Sequence, residues 1–303
     1  MFIILFINKK INTYLYFLTR NFIDFMAIFW YNLAMITKEI RSKIMEKYVN
    51  KDDKMLAASI IDLSQKFESN NYVVHTSFLN IYEKQIAVSI LNYLDVKYIV
   101  YSPTMDAERV VIFFIPEYLE EENLNDIFEE YVTCIKITPP SKVMLKHKDY
   151  MGAILNAGTS EKMIGDIYAL DGSGYVFMMK TLENYYLNNL LYVSKNEVST
   201  KALKLNSKEV LSLNYSFSTA EITIPSNRVD AILSNVYNLS RNEVKTKIED
   251  GDLIINAREM FFMAYETKIG DIISFRKCGK FKIGNILRTT RSGNIVIEIK
   301  KYI

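Results

Sequence analysis

Leu239-Ser240-Arg241-Asn242-Glu243-Val244-Lys245-Thr246-Lys247-Ile248-Glu249-Asp250-Gly251-Asp252-Leu253-Ile254-Ile255-Asn256 is the stretch that decides the fold of the C-terminal third. Ser240 and Glu243 have the spacing of a capping box, in which the Ser240 hydroxyl accepts from the Glu243 amide and the Glu243 carboxylate from the Ser240 amide. They predict a helix running to about Asp250 and stopped at Gly251, the residue best suited to left-handed backbone. Val244 and Ile248 lie one turn apart and should face a core. Arg241 and Lys245 are also one turn apart and project together from another face. Leu253–Asn256 then reads as a strand.

Outward from this helix the pattern continues on both sides. Ser226-Asn227 is placed to cap an earlier helix beginning at Arg228, with Val229, Ile232, Leu233 and Val236 on one face. Asn238-Leu239 turns the chain between the two. Downstream, Gly270-Asp271-Ile272-Ile273-Ser274-Phe275 reads as a second strand. The unit is therefore two short helices followed by a small sheet. From Ser274 to Ile303 eight basic residues face one acid, Glu298, so this tail is +7 in a chain whose net charge is only +2. Such asymmetry points to a polyanionic partner, although a solvated surface has the same composition. Arg276-Lys277-Cys278-Gly279-Lys280-Phe281-Lys282 alternates cations with an aromatic and is the second phosphate-binding candidate.

These elements, in this order and spacing, resemble the S4 RNA-binding domain: Arg228–Leu233, Leu239-Ser240-Arg241, Gly251–Asn256 and Gly270–Ser274. By position the resemblance implies RNA contacts at Arg228, Ser240, Arg241 and Lys245, with Lys247 and Asn256 nearby. Basic side chains held on paired helices neutralise phosphates, and Arg can also fork or stack. Taken alone, Arg241 and Lys245 also fit a solvated helix face. The basic tail adds Arg276, Lys277, Lys280 and Lys282.

Upstream, residues 35–95 read as a helical region, from the spacing in Met55–Leu63 and again through Ile81–Leu94. Lys97–Tyr101 and Arg109–Ile115 predict a hairpin across Ser102–Asp106. Strands are expected at Cys134–Ile137, Asp166–Leu170 and Tyr175–Met179, the last two joined by Asp171-Gly172-Ser173-Gly174. Helices are expected at Tyr150–Ala157 and Leu182–Tyr192. Residues 96–222 thus predict a central α+β sandwich with an RRM-like layout, although no aromatic RNP signature is present. The whole is an α+β protein: an N-terminal helical region, a central RRM-like domain, and an S4 RNA-binding domain over 223–303. Residues 1–34 are apolar but broken by Lys9, Lys10, Arg20 and Asp24, so no clean membrane span is present. A mis-assigned start, a helix packed on the body and a membrane-associated segment all remain open for them.

Three places extend the resemblance to the bacterial YlmH family over about Met35–Ile303. They are Ala107-Glu108-Arg109; His147–Leu155 running on to Gly158 and Ile164-Gly165-Asp166-Ile167; and Ile273–Phe281 with Ile299–Tyr302. The chain departs from the family at Lys277, where Gly is usual, at Lys280, where Arg is usual, and at Glu161, which lies where a basic residue is usual. The resemblance implies a non-enzymatic cytoplasmic factor bound to rRNA on the large ribosomal subunit, with peptidyl-tRNA as a further candidate partner, in quality control of stalled complexes.

The alternative is an RNA-modifying enzyme, pseudouridine synthase-like or methyltransferase-like. No GxGxxG loop is present, and no nucleophile completes a site with His147 and Asp149, which read as structural. Glu108 and Arg109 fit either an ion pair holding the hairpin or, for Arg109, an RNA contact. Tyr98, Tyr101 and Phe113 could stack on bases but read better as sheet packing. Glu117–Glu122 reads as a solvated helix start. Two distant cysteines and two histidines make a zinc site improbable and suit a reducing compartment. No cofactor, metal, small-molecule substrate or stable membrane association is expected.

Overall fold

The computed structural model describes residues 38–119 and 123–303. The apolar N-terminal segment and Glu120–Glu122 of the acidic run lie outside the described residues. Contacts divide the chain at Asp62/Leu63 into two units. The first contains α1 (residues 38–46) and most of α2 (Lys51–Asn70). Ile44, Leu56, Ala57, Ile60 and Ile61 are buried there, and Arg41 pairs with Asp62 at 2.5 Å.

The second unit opens with a small antiparallel sheet, β1 (Val74–His75), β2 (Ile99–Tyr101) and β3 (Val111–Phe114), in the order β1-β3-β2. Between β1 and β2 runs α3 (Ile81–Leu94). The Asn80 side chain accepts from the Glu83 amide, and the Glu83 carboxylate accepts from the Asn80 amide, each at 2.9 Å. Two strands of this sheet are the expected hairpin; β1 lay hidden in a region read as helical. After it come α4 (Leu124–Tyr131) and, with no intervening loop, β4 (Val132–Thr138).

The central sheet follows the chain order β4, α5 (His147–Asn156), β5 (Ile164–Leu170), β6 (Ser173–Met179), α6 (Glu183–Asn189), β7 (Tyr192–Val193), β8 (Asn196–Glu197), β9 (Ser199–Leu203) and α7 (Lys208–Leu211). β7 and β8 form a separate two-stranded ribbon. The remaining strands form an antiparallel sheet ordered β5-β6-β4-β9. Asp171 (φ 49°) and Gly172 (φ 74°) make the β5–β6 turn left-handed at both central positions, as an Asp-Gly hairpin turn requires. The expected helix over Leu182–Tyr192 is shorter: it stops at Asn189, because Tyr192 and Val193 leave it to pair with Glu197 and Asn196.

Strand alternation gives this sheet two apolar faces. Ile135, Ile137, Val176 and Met178 pack against Tyr150 and Ile154 of α5 and Tyr186 of α6. Cys134, Tyr175, Phe177 and Tyr168 form the other face. Phe78, Val111, Phe113, Phe128, Val210 and Leu213 cover it, so β3, α4 and α7 close the side that the helices leave open. Tyr101 and Phe113 are packed in this layer, with ring centroids 4.4 and 4.9 Å from Phe128.

Phe217–Ile224 (β10) opens the C-terminal module, followed by α8 (Val229–Tyr237), α9 (Arg241–Glu249), β11 (Leu253–Ile255), β12 (Arg258–Glu259), β13 (Ile272–Phe275), β14 (Gly279–Thr289) and β15 (Ile295–Tyr302). The sheet runs β10-β15-β14-β13-β11-β12. Val229, Ile232, Leu233, Val244 and Ile248 from the helices share one core with Ile255, Ile273, Phe275, Phe281, Ile283 and Ile299. Each such side chain contributes roughly 1.5–3 kcal/mol on burial.

The first helix is capped differently from expectation. Arg228 occupies the N-cap and makes no side-chain cap bond, while the Asn227 amide donates to the Thr267 carbonyl at 3.3 Å. The Asp230 carboxylate accepts from the Ala231 amide instead.

Tyr150 is fully buried under Gly174, where a Cβ would lie 2.5 Å from its ring, and its hydroxyl has no partner. An unsatisfied buried hydroxyl costs about 1–3 kcal/mol. Tyr150→Phe should therefore raise the denaturation free energy by about 1 kcal/mol, and Gly174→Ala should lower it by at least as much in the same urea titration.

Candidate RNA-binding interface

The capping box of α9 forms as read: Ser240 Oγ accepts from the Glu243 amide at 3.2 Å, and Glu243 from the Ser240 amide at 2.8 Å. Gly251 (φ 78°) ends the helix. Arg241 and Lys245 are exposed on one face, and Lys245 has only a loose 3.8 Å contact with Glu249. Lys247 turns aside to Asp252 at 3.4 Å and lies over the Phe275 ring. The Asp252 carbonyl accepts from the Arg276 amide, which brings the β13–β14 turn beside the C-terminal end of α9. Arg276 pairs with Glu259, and Arg228 with Asp230 at 2.7 and 3.1 Å.

Three of the ten singled-out residues are placed otherwise than a shared RNA surface would have them. Asn256 sits at φ 51°, donates to Asp271 and accepts from the Ile272 amide, so its side chain locks the module's own turn. Phe281 and Ile283 point to the helices, so Lys280 and Lys282, which alternate with them, point to the opposite face of the sheet. There Lys280 meets Glu108, at 2.6 and 2.7 Å, and lies over Tyr302; Lys282 stands opposite Ile272 and Lys300.

Lys277 takes left-handed backbone, φ 63°. This explains why Gly is the usual residue in the resemblance: the turn demands a conformation that costs a residue with a Cβ roughly 1 kcal/mol. Lys277→Gly should stabilise the fold by about 0.5–1 kcal/mol in thermal or urea denaturation.

Glu108 and Arg109 are held at a junction the sequence does not reveal. Asp166, buried at the start of β5, accepts from the Glu108 amide at 2.8 Å, the Arg109 amide at 3.3 Å and the Tyr215 hydroxyl at 3.0 Å. The Arg109 guanidinium in turn binds Glu161, at 3.0 Å to its carboxylate and 3.1 Å to its carbonyl. The acid at 161 thus serves as the partner of Arg109. His147 opens α5, and Asp149 accepts from the Lys146 amide at 2.8 Å, a structural use.

Burial raises the Asp166 carboxyl to about 6, against the pull of the Arg109 amide bond and with the Glu108 charge adding to the rise. The folded protein then binds a proton that the unfolded chain, near 3.9, releases. The stabilisation is complete below about pH 4 and is lost as pH rises through about 6. The denaturation free energy should fall by on the order of 2 kcal/mol between pH 4 and 7 through this group, and Asp166→Asn should flatten that limb.

Among the described residues, no helix is long and apolar enough to cross a membrane, and no group of three or more His, Cys, Asp or Glu could hold a metal ion. The "Putative RNA-binding domain in YlmH" family model matches residues 127–207, the central sheet with α5 and α6. The chain is 21% identical over 246 residues to the "Ribosome-associated protein quality control protein P2" of Bacillus subtilis (strain 168), across 81% of this chain and 93% of that protein. The resemblance to the YlmH family is borne out. A solved structure titled "Cell division protein ylmH from Streptococcus pneumoniae" is 17% identical, covers 53% of this chain and 96% of its own, and has a TM-score of 0.43. All ten singled-out residues lie outside the stretch matched by the YlmH domain model. Within it, Lys142, Lys146 and Lys148 are exposed in and after the loop before α5, a K-x₃-K-x-K spacing that sequence reading passed over.

Proposed function

We propose that this chain is a non-catalytic, cytoplasmic RNA-binding factor that docks on rRNA of the large ribosomal subunit and acts in quality control of stalled complexes carrying peptidyl-tRNA. The observation that carries this reading is the similarity, through 93% of its length, to a protein named for ribosome-associated quality control. The geometry supports it in two places. The helix pair and sheet over 217–303 have the make-up of an S4 domain, with Arg241 and Lys245 presented on α9. The β-α-β-β-α-β order of the central sheet, with β4 and β6 innermost, is the RRM-like layout.

The central domain does not use that layout as an RRM does. The face on which an RRM stacks bases is covered here by β3, α4 and α7. RNA contacts therefore fall to exposed cations outside the sheet faces, on α9 and on the loop before α5. Contacts of that kind engage phosphates, which position the protein but do not read sequence.

Purified protein should co-sediment with large ribosomal subunits in a salt-sensitive way. Arg241→Ala combined with Lys245→Ala should weaken that association and flatten the plot of log affinity against log salt by up to about two units. Unchanged binding would remove α9 from the interface. A missing rRNA modification in a deletion strain, seen by nucleoside mass spectrometry, would favour an enzyme instead.

A further inference from the structure

Three stretches singled out in the sequence, Glu108-Arg109, His147 and Ile164–Ile167, meet around one cavity of about 420 Å³. It lies between the central sheet and the outer face of the C-terminal sheet, and is within the ~300–1,000 Å³ of sites that hold small organic groups. Ile81, Met151, Leu155, Ile254 and Ile272 supply apolar wall. The cations that line it are matched internally, Lys280 to Glu108 and Arg109 to Glu161, and the Asp166 carboxylate in its lining is held by two backbone amides and the Tyr215 hydroxyl. No cation is left over for a phosphate.

One polar edge in the lining stays open, the His147 ring. Arg109 Nε is enclosed and both terminal nitrogens are engaged, so that side chain stiffens the wall and offers the cavity no free donor. The His147 ring stands at the mouth of the cavity. It is accessible at the surface, yet enough protein surrounds it to hold it below the usual imidazole range, with the Lys280 charge acting the same way. A neutral imidazole offers one donor and one acceptor. A flat, uncharged heterocycle with hydrogen-bonding edges and apolar faces matches this combination, and a phosphate or a carboxylate does not.

We propose that the cavity takes one unpaired base of the bound RNA, with His147 pairing with the base edge and the aliphatic wall lying against its faces. This rests on the RNA-binding reading above and adds to it a contact that distinguishes looped from paired RNA. Single-stranded bases can be splayed out and read on their edges, whereas a duplex keeps them stacked. The α9 cations then supply affinity and the cavity supplies selectivity.

The test compares the full chain's affinity for an RNA hairpin carrying a 2-aminopurine in its unpaired loop with its affinity for a fully paired duplex of equal length. The wild type should favour the loop at least fivefold and change the 2-aminopurine emission on binding. Met151→Trp, which fills the cavity from a half-open wall, and His147→Ala, which removes a polar partner without filling it, should each erase the preference. Both should leave duplex affinity and its salt slope unchanged. A preference that survives both variants, or a wild type that binds loop and duplex equally, overturns the cavity site and leaves the RNA-binding reading standing. A wild type that binds neither RNA, nor large subunits, overturns both. Nucleoside monophosphates are the remaining arm: tight binding of a free nucleotide, lost in Met151→Trp and indifferent to RNA, would make the cavity a nucleotide site and sink the strand-base proposal.

Discussion

The central sheet is buried on both faces, and the rest of the molecule follows from that. A four-stranded antiparallel sheet with two helices on one side normally leaves its other side to solvent. Here Cys134, Tyr168, Tyr175 and Phe177 would be exposed there, a patch too apolar for a bare surface. Phe78, Val111, Phe113 and Phe128, with Val210 and Leu213, cover it. Polar contacts complete the seal where apolar packing ends. Glu209 of α7 binds Lys136 at 2.6 Å and the Tyr175 hydroxyl at 2.9 Å, and Glu129 of α4 accepts from the Leu205 amide at 2.7 Å.

That covering decides where function can sit. A sheet whose aromatic residues are spent on packing cannot stack bases, so the absence of an RNP signature and the burial of the face are one fact seen twice. What stays accessible is the periphery: the loop ahead of α5, the outer face of α9, and the seam where the C-terminal sheet meets β5. Asp166 organises this seam. Its one carboxylate gathers two backbone amides and a tyrosine hydroxyl, which fixes the chain at 108–109 and so directs Glu108 toward Lys280 and Arg109 toward Glu161. Breaking such partly buried pairs on one side leaves an uncompensated charge, which favours a defined seam over a sliding one.

The C-terminal module was legible because its signals are local. Capping residues, a glycine stop and a four-residue apolar repeat act within one or two turns, and α9 lies where they put it. β10 was missed because it is an edge strand with mostly exposed side chains, so Phe217–Ile224 lacks the buried alternation that marks a strand. The role of Asn256 was missed for another reason. A polar side chain near a basic helix fits an RNA contact equally well until its internal partner is known, and Asp271 is known only from the fold. The same holds for Glu161, which looked like a lost RNA contact and is the partner of an arginine 52 residues earlier.

Charge counting needs the same correction for partners. The +7 of the final thirty residues fits a polyanionic partner or a solvated surface, and Arg276, Lys280, Arg288 and Lys300 each lie against an acid. Exposed pairs of this kind contribute little to stability, but each lowers the field a phosphate would meet. On α9, Arg241 is exposed and Lys245 is held only loosely, by Glu249 at 3.8 Å. Arg241 comes first in that helix, one turn from Lys245, on a helix pinned by Val244 and Ile248. Rigidity of the scaffold, more than the number of charges, is what would give these two side chains a defined register on a folded RNA.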